Sequence, residues 1–117
     1  MTQQEQLTQS FANLLEQRQF SKIRAVYPGS PYSPPHPVLG QTPNLTAHDD
    51  KDRFYLIAIV LEDFEENIDA QKKVISFGKY AKAHKSLFWL ITAKAHEQAN
   101  RRILEKLGIV PALLKVL

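Results

Sequence analysis

RFYLIAIVLE, residues Arg53 to Glu62, is the stretch on which the fold turns. Phe54 to Leu61 is an unbroken apolar run rich in Ile, Val, Phe and Tyr. Asp49-Asp50-Lys51-Asp52 precedes it and Asp63-Phe64-Glu65-Glu66 follows. A run this short, with β-branched and aromatic side chains, reads as a strand covered on both faces rather than as a helix. Each end meets concentrated acid, so any chemistry is expected there.

Outward from that strand, the chain divides by period. Upstream, Asn44 to His48 is a short strand, and Asp49 to Asp52 a tight polar turn that makes a hairpin with the central run. Pro28 to Pro43 holds six of the seven prolines. Such a stretch neither winds into a helix nor pairs centrally, so 28–43 is a long ordered loop. Ser21 to Tyr27 alternates Ile23, Ala25 and Tyr27 against Lys22, Arg24 and Val26, a half-exposed strand. Leu7, Phe11, Leu14 and Leu15 mark one face of a helix from Thr2 to about Arg18, with Thr2 and Glu5 placed as a capping box.

Downstream, Asn67 or Asp69 caps a helix to about His84 that buries Ala70, Val74, Phe77 and Ala81. SLFWLIT, 86–92, is a second buried strand, and Phe77, Phe88 and Trp89 belong to the core. A third helix follows on the line Ala95, Ala99, Ile103 and Leu107, ended by Gly108. Ile109 to Leu117 supplies a last strand that Pro111 confines to a sheet edge. Helix, three strands, helix, strand, helix, strand is an α/β order. It predicts one domain over 1–117 with a mixed sheet, antiparallel at the hairpin, parallel at the crossovers and flanked by helices.

Composition narrows the chemistry. The chain has no cysteine, hence no disulfide framework and no thiol nucleophile. MTQQEQLTQS does not begin with a basic segment and an apolar run, and no apolar stretch is long enough to span a bilayer; the expectation is a cytoplasmic protein without a membrane partner. No G-x-S-x-G elbow, dinucleotide fingerprint or Walker loop is present. His36, His48, His84 and His96 show no helical metal spacing; His48 comes near Glu62 only if the hairpin brings them together. The net charge of +3 conceals a segregation: eight acids lie between Asp49 and Asp69, and nine Lys or Arg between Lys72 and Lys106. Carboxylates for a cation beside lysines for a polyanion suit phosphodiester chemistry. A helix N-terminus rich in acid and lysine-rich solvent faces produce the same pattern.

With Pro43-Asn44 opening the second strand and Val60-Leu61-Glu62 closing the third, the αβββαβ order resembles the PD-(D/E)XK nuclease superfamily, the restriction-endonuclease-like fold. The resemblance extends from the first helix to Leu107. It implies a restriction-endonuclease-like core carrying an additional C-terminal helix and strand. In that family, acids at the second and third strands hold a magnesium ion that activates water. Here Pro43 matches, Asn44 stands in place of the metal-binding Asp, and Val60 in place of the first acid of the triplet. Glu62 matches the third position, Gln71 the helical Gln or Lys, and Glu5 or Glu16 the first-helix acid. The implied site is therefore catalytic Glu62 and Gln71, with Asn44 and Glu62 as ligands of a weakly held Mg²⁺ or Mn²⁺. An alternative site draws on Asp63, Glu65, Glu66 or Asp69 with Lys72 or Lys73. Nucleic acid is the implied partner, bound by Lys72, Lys73, Lys79, Arg101 and Arg102.

Three functions follow from this reading: a nuclease-fold module that binds nucleic acid or a protein without cutting, a divergent metal-dependent nuclease, and an oligomeric subunit. In the third, the edge VPALLKVL pairs with a second copy as a homodimer. Tyr27, Tyr32 and His36 flank the proline-rich loop; they either stack on unpaired bases or close the core and pin the loop.

Overall fold

The computed structural model describes residues 1–117 as α1 (Gln3–Gln17), β1 (Ser21–Ala25), β2 (Leu45–His48), β3 (Phe54–Val60), α2 (Ile68–His84), β4 (Leu87–Thr92), α3 (Glu97–Leu107) and β5 (Leu113–Val116). The strands form one sheet in the order β1-β2-β3-β4-β5. Pairing is antiparallel from β1 to β3 and parallel from β3 to β5. The class is α/β, with a five-stranded mixed sheet flanked by helices. No helix is long and apolar enough to cross a membrane.

β3 sits in the centre because both its faces are apolar. Leu56, Ala58 and Val60 pack with Val74 and Phe77 of α2 and Leu104 of α3. Tyr55, Ile57 and Ile59 pack with Ala12 and Leu15 of α1. Residues 55–60 are all buried, and a fully buried large apolar side chain contributes about 1.5–3 kcal/mol. Both parallel crossovers thus put their helices on one face, leaving α1 alone on the other.

α2 buries the four residues its periodicity predicts, and Asn67 is the cap, its Oδ1 accepting from the Ala70 N–H. Gly78 lies where α2 meets the segment before β5: a Cβ there would approach Ile109 Cγ2 to 2.9 Å. Two helical faces differ from expectation. α1 packs Leu7, Phe11 and Leu15 on the core as its periodicity predicts, but it buries Thr8 and Ala12 beside them and leaves Leu14 exposed. Small side chains let this helix approach the sheet closely, and Thr8 satisfies its hydroxyl on the Gln4 carbonyl at 2.8 Å. α3 buries Asn100 and Leu104; of the line from Ala95 to Leu107, Ile103 packs against the core while Ala95 and Leu107 are exposed. A 3₁₀ turn at Lys94–His96 precedes it, so Ala95 lies outside the helix whose phase it was expected to share. β3 stops at Val60, and Glu62 lies beyond the strand.

The hairpin turn is built on one carboxylate. Asp49 accepts hydrogen bonds from the backbone N–H groups of Lys51 and Arg53 (2.9 Å each), Arg53 Nε (2.6 Å) and the Tyr55 hydroxyl (2.9 Å). Burial works against its ionisation, but the Arg53 backbone, the Tyr55 hydroxyl, the Arg53 guanidinium and the Lys51 backbone outweigh it. They hold Asp49 well below the usual carboxylate range. A depressed folded pKa means that the unfolded chain takes up the proton first. The stabilisation is therefore complete above the ordinary carboxylate pKa and fades as pH falls towards the folded value. Asp49→Asn is expected to lower the melting temperature at pH 7, with the gap to the parent protein narrowing steadily from about pH 4 downward. Thermal melts across pH 2–7 measure that gap; a constant difference contradicts this role of Asp49.

Candidate functional site

Beyond Val60 the chain turns from β3 into α2, and polar side chains fix the path. Asp63 Oδ1 accepts from the Glu65 N–H at 2.9 Å. Phe64 is fully buried and acts as the anchor. Its N–H donates to Asn100 Oδ1 at 2.9 Å, and its carbonyl accepts from Gln71 Nε2 at 2.6 Å. Asn100 Nδ2 donates to the Glu62 carbonyl at 3.1 Å and to Thr92 Oγ1 at 2.9 Å. One buried amide thus ties α3 to the end of β4 and to both sides of Asp63, which aims the exposed Glu62 outward.

Glu62 opens onto a polar cleft of about 230 Å³, lined by Val60, Glu62, Asn67, Asp69, Ala70 and Lys73. Of the acids considered for an alternative site, Asp69 shares this cleft with Glu62, and Lys73 contributes the amine. Asp63, Glu65 and Glu66 do not line it. Val60 presents hydrocarbon. Gln71 spends its amide on the Phe64 carbonyl, so in this structure it serves the loop.

Asn44 is engaged elsewhere. β2 begins at Leu45, opposite Ile57, so beyond that pair β3 has no strand partner on this side. The Ile59 N–H donates to Asn44 Oδ1 at 2.8 Å, and the Ile59 carbonyl accepts from Gln4 Nε2 of α1. The two amides complete the ladder where the strand runs out. Glu5 is occupied in the capping box with Thr2, whose backbone N–H holds its carboxyl below the ordinary value. Glu16 accepts from the Tyr32 hydroxyl at 2.8 Å, a bond that pushes Tyr32 up to about 12. The α1 residue that reaches the end of β3 is Gln4, not Glu5 or Glu16.

The implied cation can be tested on this donor set. Asn44 has given its oxygen to an N–H, Val60 has no donor, and nowhere do three or more His, Asp or Glu side chains converge into a metal-holding group. The positions that the resemblance implies do not fit Mg²⁺, which needs near-octahedral oxygen ligation. His48 does not complete the set either: it pairs with Phe54 at the start of β3, the opposite end from Glu62.

The basic residues lie on the helical layer. Lys72 and Lys79 on α2 and Arg102 on α3 are exposed, and no acid pairs with them. Lys73 is half-buried in the cleft wall. Arg101 is partly neutralised by Glu97 at 3.0 Å. Tyr27 is buried on the α1 side, and Tyr32 packs against that same core; both serve structure. β5 forms one edge of the sheet with its outer side unpaired.

Sequence pattern does not single out Asn100 or Gln4, and it gives Asp49 only as part of a polar turn. For Asn100 a signal existed: an amide sits one turn from Leu104, where a purely apolar stripe was sought. Compared with protein-family models, characterised proteins and solved structures, the chain matches none.

Asn100→Ala strands the Phe64 N–H in a buried site and is expected to cost about 2–3 kcal/mol. Urea denaturation measures the loss, and amide exchange is expected to accelerate selectively at Phe64. Unchanged stability contradicts this role of Asn100.

Proposed function

We propose that this protein is a nuclease-fold module that binds nucleic acid through the outer layer of α2 and α3 without cutting it. The observation that carries the reading is the division of labour around β3. Asn44 and Gln71, which the nuclease resemblance would place in catalysis, complete backbone hydrogen bonding. The cations Lys72, Lys79 and Arg102 on the adjoining helices are free of acidic partners. Helix, three strands, helix and strand in one mixed sheet, with strand order following the chain, supports the nuclease kinship. Unpaired surface cations displace condensed counterions from a phosphate backbone, which makes affinity strongly salt-dependent.

Binding of a labelled single strand and a duplex across a salt series tests this reading. Affinity is expected to fall linearly on log–log axes. Simultaneous Lys72→Ala, Lys79→Ala and Arg102→Ala is expected to reduce the slope by about 2–3. A flat salt response, or a slope that ignores the three substitutions, refutes it.

The shared cleft of Glu62, Asp69 and Lys73 favours a second reading, a metal-dependent nuclease with a displaced site. In that case plasmid cleavage in Mn²⁺ or Mg²⁺ disappears in Glu62→Ala and in Asp69→Ala. Cleavage surviving both substitutions excludes the cleft, and no cleavage by the parent protein leaves the binding module.

A further inference from the structure

The long proline-rich segment has a structural product that the α2–α3 surface does not use. Residues around Pro37 and Val38 wall a groove of about 370 Å³ at the start of β3, within the range of about 300–1,000 Å³ typical of small-ligand sites. The loop is firmly placed: Val38 and Gln41 exchange backbone hydrogen bonds at 2.6 and 3.0 Å, and Val38 is buried against the core. Lys22 and Arg24 of β1, His36 of the loop, and His48, Phe54 and Tyr80 are among the lining residues.

Charge and ring chemistry coincide here. Arg24 donates one guanidinium nitrogen to the Pro34 carbonyl at 3.2 Å, which orients the fork while leaving further N–H donors. No carboxylate lines the groove. Asp52 stands at the rim, 3.5 Å from Lys22 Nζ and 3.1 Å from His48 Nδ1, against the two permanent cations. The rings run continuously: His48 to Phe54 at 5.2 Å, Phe54 to Tyr80 at 6.4 Å and Tyr80 stacked on His84 at 4.1 Å. Donors for a phosphate beside an aromatic surface for a flat heterocycle are the two halves of nucleotide recognition.

We propose that this groove binds a nucleotide, its phosphate on Lys22 and Arg24 with His36, and its base against Phe54 and Tyr80. Free mononucleotides and the 5′-phosphorylated end of a single strand share that chemistry. The site is separate from the Lys72, Lys79 and Arg102 surface, and it holds whether or not that surface binds nucleic acid.

Titration calorimetry on the full chain distinguishes the outcomes. The probes are adenosine monophosphate, inorganic phosphate, and one short oligonucleotide with and without its 5′ phosphate. Lys22→Ala with His36→Ala removes two exposed groups and is expected to weaken nucleotide binding at least tenfold, as is Tyr80→Leu; circular dichroism verifies that each variant is folded. The triple substitution on α2 and α3 is expected to leave mononucleotide affinity unchanged. Binding of the mononucleotide and the phosphorylated oligonucleotide alike supports a free-nucleotide site. Binding of the phosphorylated oligonucleotide alone supports a strand-end site. The proposal is overturned if inorganic phosphate binds as tightly as either, if the 5′ phosphate makes no difference while the mononucleotide fails to bind, if no probe binds, or if binding survives the groove substitutions in folded protein.

Discussion

A strand buried on both faces leaves its backbone no recourse to water, and that constraint on β3 shapes the rest of the molecule. Residues 55–60 are all buried, so each N–H and C=O must find a partner in β2, in β4 or in a side chain. β4 is long enough, pairing from Tyr55 to Val60. β2 is shorter and reaches only Ile57. The remaining gap at Ile59 is closed by two amides from distant parts of the chain, Asn44 and Gln4. Tertiary placement of α1 is thereby linked to the hydrogen bonding of the central strand.

The same requirement explains why amides concentrate around this end of the sheet. Asn100 and Gln71 between them satisfy both backbone groups of Phe64, and Asn100 also reaches Glu62 and Thr92. Asn67 caps α2. An uncharged amide both donates and accepts, and it carries no ionic desolvation cost, so it suits a buried junction better than a carboxylate. In a metal site the preference is reversed, since charge is what holds the ion. The neutral, hydrogen-bonded environment of Asn44 and Gln71 is thus coherent with a scaffold role. The exposed carboxylates of Glu62 and Asp69, which share a cleft with Lys73, are the part of this region left open for chemistry.

Charge is distributed by the same logic of access. Acids gather in turns and at the α2 N-terminus, where N–H groups are free to receive them; Asp49 and Asp63 each bind backbone donors. Cations occupy the solvent side of the helices, where long stems keep the charge in water. A second cationic place lies at the groove, which the proline-rich loop completes by bringing His36 to Lys22 and Arg24 of β1 and to the rings of β3 and α2.

The order of elements, the burial of residues 55–60, the α2 stripe, the Asn67 and Gly108 caps and the mixed pairing were legible from local pattern. Each depends on a period of two or 3.6, or on a cap adjacent in the chain. The edge position of β5 followed from Pro111. Other features belong to the tertiary structure alone. Which face α1 presents depends on how closely Thr8 and Ala12 let it approach the sheet, and the phase of α3 on a 3₁₀ turn. The uses of Asn44, Gln4 and Asn100 depend on partners 15, 55 and up to 38 residues away. The candidate site divides in the same way: the sequence offers Glu62 through the nuclease resemblance, but its sharing of a cleft with Asp69 and Lys73, and the assembly of the groove from β1, the loop, β3 and α2, require the folded chain. Local periodicity specifies how a segment curls and which side is apolar. Hydrogen bonds and clefts formed between distant segments arise only when packing sets their separation.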